Sequence, residues 1–168
     1  VITRKDRARG GPHKPVTLLG YGEGHAYEHI SQAKDLTTSA AAQSGRAAYA
    51  EAGLTPDDID LLQLYDCFTP ALLIQIEDLG FCGKGEGGAW LASGIRRPGG
   101  SKPMNTHGGM LSYCHPGNPG AMFGLTEAIT QMRGDAGERQ LPNMRTALCH
   151  AQGGIMSSHA TIILGVED

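Results

Sequence analysis

Three short runs carry the groups able to move protons or attack a carbonyl. They are Tyr65-Asp66-Cys67-Phe68, Asn105-Thr106-His107-Gly108-Gly109-Met110-Leu111-Ser112-Tyr113-Cys114-His115-Pro116-Gly117, and Cys149-His150. His115 falls at what reads as a strand-to-helix turn. Gly108 and Gly109 remove Cβ atoms that would keep backbone or substrate away, and Pro116 suits the first turn of a following helix. An imidazole at the mouth of such a turn titrates near neutral pH and can pass a proton to or from a reacting group. A thiol near an imidazole is driven toward thiolate, which serves as base or nucleophile. Taken one residue at a time the bland readings hold: a lone histidine is a hydrogen-bonded structural one, and Cys67, between an apolar strand and Phe68, is packing. Cys82 reads as structural, Cys114 as support for His115, and Asp66 as the cap of a helix starting near Phe68. No spacing among His107, His150, His159, Cys114 and Cys149 matches a known metal-ligand pattern, so no metal is expected.

Each run follows a candidate strand. Leu61-Leu62-Gln63-Leu64-Tyr65 reads as a short buried strand, and Thr146-Ala147-Leu148-Cys149 with Ser158-His159-Ala160-Thr161-Ile162-Ile163-Leu164 as a terminal hairpin turning at Gln152-Gly153-Gly154. Val16-Thr17-Leu18-Leu19 is a strand expected to run into a glycine-rich irregular loop carrying His25 and His29. Val1-Ile2-Thr3 looks like the tail of another, so the chain reads as a piece of something longer. Helices are expected from Thr37 or Thr38 to a stop at Gly53, over 68–79, and over 117–133, where Met122, Leu125, Ile129 and Met132 form a core-facing stripe. Residues 82–103 read as a long surface loop anchored by Trp90-Leu91. A mixed sheet flanked by helices follows, with its reactive groups at the strand ends.

At 168 residues, with hydrophobic residues at 40% and charged residues at 18%, the chain is one folded domain and not a disordered tract. A formal charge of −3 gives no reason to expect nucleic acid, and no apolar run approaches a bilayer span. The basic cluster Arg4, Lys5, Arg7, Arg9 and Lys14 reads as a solvated linker. Four cysteines without a CxxC pair fit free thiols in a reducing, cytoplasmic setting.

The ordered set (alanine-rich helix, Gly53-Leu54-Thr55-Pro56-Asp57-Asp58-Ile59-Asp60, strand, Tyr65-Asp66-Cys67-Phe68, the His115-Pro116 loop and the glycine hairpin) resembles the C-terminal half of a thiolase. It most resembles the sterol-carrier or lipid-transfer branch, acetyl-CoA acetyltransferase-like, whose motif is His-Asp-Cys-Phe where other thiolases have Asn-Glu-Ala-Phe. Tyr65 departs from both. The resemblance implies an α/β domain with a five-stranded mixed sheet and helices on both faces, spanning 16–168, with 1–15 as the end of an N-terminal half and a linker. It implies that His115 activates the nucleophilic cysteine and helps bind the thioester oxyanion, that Cys67 is the acid and base at the substrate α-carbon, and that Tyr65 replaces an oxyanion-hole residue. Cys149 lies near the cysteine of the family's Cys-x-Gly-Gly-Gly loop, although His150-Ala151-Gln152 interrupts that pattern.

The implied substrate is a coenzyme A thioester, with no permanently bound cofactor. The implied reaction makes or breaks a carbon–carbon bond as an acyltransferase. A steroid or lipid side-chain aldolase, with Tyr65 taking the proton of a β-hydroxyl, is the rival, and a non-catalytic module completing a partner's fold is the third reading. The nucleophilic cysteine belongs to the N-terminal half, which nothing here resembles. The expected partners are that half, further copies of the complete enzyme in a homo-oligomer, and a small OB-fold subunit, with no nucleic acid or membrane.

Overall fold

The computed structural model describes residues 1–8, 10–117 and 119–166; Arg9, Asn118, Glu167 and Asp168 lie outside the described residues. In chain order the elements are α1 (Lys5–Ala8), β1 (Thr17–His25), α2 (Ala41–Ala52), β2 (Leu61–Leu64), α3 (Thr69–Asp78), α4 (Gly87–Ala92), α5 (Gly109–Ser112), α6 (Gly120–Arg133), β3 (Thr146–Gly153) and β4 (Ser158–Gly165). The strands form one sheet in the order β1-β4-β3-β2, antiparallel except for the β2–β3 pair, which is parallel.

Side chains along the central strands alternate between two cores, as a period of two requires. Leu62, Leu64, Leu148 and Ile163 point to the side of α2 and α3, where they meet Ala48, Ile76 and Leu79. Leu61, Ala147, Cys149 and Leu164 point to the other side, against Ala128 and Met132 of α6. Helices on both faces of a mixed sheet are therefore present, but the sheet has four strands and not the expected five. Val1-Ile2-Thr3 lies outside any strand, and Val1 and Ile2 are fully exposed. Next to β2, on its outer side, a single parallel bridge, Leu62 to Met104, stands alone.

The glycine-rich stretch after Leu19 does not leave the sheet: β1 continues to His25. Gly20, Gly22 and Gly24 face α2, and a Cβ on each would run into the carbonyl oxygens of Ala48, Ser44 and Ala40 respectively. Alternating glycines on the strand and alanines on the helix thus let the two backbones approach each other. On α6 only Met132 of the expected stripe is deeply buried; Met122 is 56% exposed. The helix instead turns Gly124, Glu127, Ala128 and Gln131 inward. Glu127 accepts hydrogen bonds there from Thr106 Oγ1 (2.7 Å), Gln131 Nε2 (3.0 Å) and Arg139 Nη2 (3.0 Å), so its buried carboxylate is well partnered. Leu125 and Ile129 are left lining an open apolar groove of about 500 Å³ with Leu18, Ile162 and Leu164.

The segment 82–103 is less loop than expected. It contains α4, and Trp90 packs against Phe81 with ring centroids 6.3 Å apart. In the basic N-terminal cluster, Arg4 pairs with Asp6 at 3.0 Å. Among the described residues no helix is long and apolar enough to cross a membrane.

Candidate active site

Because β2 and β3 run parallel, their C-terminal ends open on the same edge of the sheet. Tyr65 to Phe68 leave β2 there, and Gln152 and Gly153 end β3 beside them. The third contributor arrives from a distance in sequence and is stapled to the end of β2 twice. The Asn105 side chain, on a backbone with φ of 48°, accepts from Leu64 N at 2.8 Å and donates to Leu64 O at 3.0 Å, standing in for a neighbouring strand. The Asp66 carboxylate accepts from Met110 N at 2.6 Å. Gly109 sits against that carboxylate, where a Cβ would overlap both oxygens, and its φ of 68° places it in the left-handed region.

Asp66 therefore does not cap α3 as the sequence led us to expect. It ties the Tyr65 turn to the loop that delivers His115. That histidine follows α5 in a loop, and α6 begins only at Gly120, so Pro116 lies ahead of the helix and not in its first turn.

The structure brings Tyr65, Cys67 and His115 to one cleft of about 710 Å³, walled by Ile30, Phe68, Ala121, Ile155 and Met156. Tyr65 Oη lies 2.9 Å from His115 Nε2, with the rings edge to face at 5.7 Å between centroids. Burial, and then the neighbouring Cys67, raise the Tyr65 phenol above its usual range. Burial likewise raises the Cys67 thiol, against smaller downward pulls from hydrogen bonds with the Phe68 backbone and Gln152. Both groups are uncharged at neutral pH, so the expected drive of a cleft thiol toward thiolate is not what this geometry supplies. The walls are apolar and partly open, with Phe68 71% and Ile155 51% exposed.

Cys149 does not join them. It is buried in the core on the α6 side, does not line the cleft, and burial pushes its thiol up to about 12. The side chain that reaches the cleft from that strand is Gln152, three residues on, whose Nε2 donates to Cys67 Sγ at 3.2 Å. Gln75 of α3 stands behind, donating through Nε2 to Tyr65 O at 2.8 Å and to Gln152 Oε1 at 3.3 Å. Sequence reasoning missed both glutamines. The available signal for Gln75 was a lone amide inside the apolar run of α3; for Gln152, it was a polar side chain immediately before the paired glycines.

The remaining candidates are placed elsewhere. Cys114 is exposed and Cys82 is half-buried at the edge of the core on the α2 and α3 side. His150 and His159 stack inside the protein, with Nε2 and Nδ1 3.0 Å apart, and burial pushes His150 down to about 3. His107 packs edge-on against Tyr113, and burial lowers its pKa. Among the described residues no group of three or more His, Cys, Asp or Glu side chains is placed to hold a metal ion.

The unit is three-layered, one mixed sheet with helices on both faces, and it carries a phenol, a thiol and an imidazole at its parallel strand ends. The model of the family described as thiolase C-terminal domain-like matches residues 22–166, and the chain belongs to that family. The steroid side-chain-cleaving aldolase of Thermomonospora curvata is 36% identical over 174 residues, covering 99% of this chain and 42% of the relative. The 17-hydroxy-3-oxo-4-pregnene-20-carboxyl-CoA lyase of Mycobacterium tuberculosis is 39% identical over 141 residues, covering 80% of this chain and 35% of the relative. Among solved structures, an Ltp2-ChsH2(DUF35) aldolase superposes with a TM-score of 0.86 at 35% identity, covering 96% of this chain and 42% of that one. The chain thus spans less than half the length of these relatives.

Proposed function

We propose that this chain is the C-terminal half of an aldolase of the thiolase superfamily, which cleaves a β-hydroxyacyl-CoA to a ketone and a shorter acyl-CoA. The observation that carries this reading is the Tyr65–His115 contact of 2.9 Å in the cleft. A phenol stands in the place where the sterol-carrier branch is similar in motif but has histidine, and the relatives named for aldolase and CoA-lyase activity support the same direction.

In this reading the Tyr65 oxygen takes the substrate's β-hydroxyl proton as its own proton passes to His115 Nε2. The carbon–carbon bond breaks, its electron pair enters the thioester enolate, and the ketone forms. The Cys67 S–H then supplies the α-carbon proton. The thiolate left on sulfur is reprotonated through solvent by the proton held on His115, which closes the balance. Apolar walls and a volume of about 710 Å³ suit a bulky hydrocarbon next to the reacting carbons.

The acyltransferase reading needs a covalent acyl carrier. Cys149 is sealed in the core, Cys82 and Cys114 do not line the cleft, and burial raises the Cys67 thiol, so in this reading the carrier comes from outside this chain. A partner half is part of the proposal. The apolar groove that Leu125 and Ile129 of α6 line beside β1 and β4 is the face it would cover. The domain assignment (16–168 as the C-terminal domain, 1–15 as the end of an N-terminal half and a linker), a second small subunit, and homo-oligomer formation remain part of this reading.

The test compares two variants in the complete enzyme. If the chemistry is retro-aldol, Tyr65→Phe lowers kcat on the order of 100-fold or more, the scale of a positioned acid–base group, while Cys67→Ala costs less because water can protonate the enolate. The opposite order with thiolysis of an acetoacetyl thioester would establish the acyltransferase instead.

A further inference from the structure

Gln75 is 1% exposed, lies between Ile74 and Ile76, and leaves its own Oε1 buried with no partner among the described residues. A buried acceptor without a partner is destabilising, and a methionine of similar shape would avoid that cost. Its Nε2, by contrast, meets two oxygens, Tyr65 O at 2.8 Å and Gln152 Oε1 at 3.3 Å. Turning the amide over would set oxygen against oxygen twice, so its direction is fixed. That in turn fixes Gln152: with Oε1 committed to Gln75, only Nε2 can face the Cys67 sulfur, 3.2 Å away.

We propose that Gln75 is a positioning residue that sets the direction of the Gln152 amide, so that Gln152 gives an N–H to the Cys67 sulfur and leaves the Cys67 S–H free to point into the cleft. One amide thereby serves both reactive residues, since the same Nε2 holds the Tyr65 carbonyl. The chemical meaning rests on the aldolase reading: the S–H bond breaks, a C–H bond forms at the α-carbon of the enolate, and the electron pair left on sulfur is met by the N–H already in place. The geometric claim stands apart from which reaction is run.

The experiment follows alkylation of Cys67 by iodoacetamide against pH in the complete enzyme, with the site resolved by peptide mass spectrometry and melting measured alongside. Gln152→Met removes the donor and should raise the midpoint by about one pH unit, which slows alkylation about tenfold below it. Gln75→Met, which touches no sulfur, should raise it too, and the double variant should move no further than Gln152→Met alone, because one chain of contacts is being cut. Gln75→Leu, which also lacks the donor and adds no charge, provides a second route to the same shift where the methionine variant folds poorly. A wild-type midpoint in the Gln75 variants, or shifts that add in the double variant, overturns the proposal. Absence of retro-aldol turnover alongside a coupled shift would remove the aldolase reading and leave this one standing.

Discussion

Asp66→Ala separates the positioning of His115 from the chemistry done by His115. The Asp66 carboxylate is 6% exposed and accepts the Met110 N–H at 2.6 Å, a buried bond to a charged acceptor. Losing such a bond costs about 1.5–3 kcal/mol. For a domain of this size 1 kcal/mol corresponds to about 2–4 °C of melting temperature, so a drop of roughly 3–12 °C is expected. The loop from 105 to 113 then keeps its anchors at Asn105 and Thr106 but loses the one at Met110, five residues before His115, so the 2.9 Å spacing of Tyr65 Oη and His115 Nε2 is less firmly held. Activity should fall on the order of 100-fold, the usual penalty for a misplaced acid–base pair, with KM changed far less. Asp66→Asn keeps an oxygen for Met110 N and should lose only a fraction of either quantity. Differential scanning calorimetry and steady-state kinetics on the complete enzyme measure both. Full activity in Asp66→Ala, at any melting temperature, would show that the loop holds His115 without this bond and would refute the reasoning.

Gly22→Ala gains about 0.5–1 kcal/mol of strand propensity but drives a Cβ into the Ser44 carbonyl oxygen and to 2.8 Å from Ala47 Cβ, so overpacking of about 1–3 kcal/mol wins and chemical denaturation should show a net loss. Cys149→Ala should lower stability by about 1–2 kcal/mol and leave kcat unchanged, since the side chain is core and not cleft; a 100-fold loss of turnover with the fold intact would return Cys149 to the mechanism. The buried neutral His150 has a folded pKa of about 3 against about 6.5 unfolded, so the unfolded chain binds a proton that the folded one refuses. Its contribution is complete above pH about 6.5 and is lost as pH falls toward 3; melting followed over that range should slope downward, and His150→Gln should flatten the slope.

The parts of the fold written in hydrophobic periodicity were legible. The hairpin of β3 and β4, the stop of α2 at Gly53 and the burial of β2 all follow from local pattern and turn chemistry. What failed locally was settled by tertiary contact. Gly20, Gly22 and Gly24 read as a loop because glycine weakens a lone strand, yet here each glycine admits a helix backbone. Met122 read as core because apolar residues at helical spacing imply an inward face, yet it is exposed; Leu125 and Ile129 pack half-buried at the edge of the core, and Glu127 with its three donors shares the inward face. At the cleft, Tyr65, Cys67 and His115 were legible through motif. Gln75, Gln152 and the true partner of Asp66 were not, because their roles exist only when segments dozens of residues apart meet, and an amide in a helix has no spacing rule.

The protonation states decide how such a cleft differs from one built around a thiolate. A condensing enzyme needs its α-carbon base charged before the substrate arrives. Here burial works against that for both Tyr65 and Cys67, and the Gln152 donor and the Phe68 backbone only partly offset it at sulfur. Cleaving a β-hydroxy thioester asks for the reverse: an acid ready at the α-carbon, and a base that need act only on a hydroxyl proton in flight. A phenol hydrogen-bonded to an imidazole meets the second requirement without ever carrying a full resting charge, because the proton it gains and the proton it gives move together. In this reading, replacing the motif's histidine by Tyr65 changes the acceptor from one that holds a proton to one that relays it to His115, and that single substitution carries the shift from bond-making at a thioester carbonyl to bond-breaking beside a β-hydroxyl.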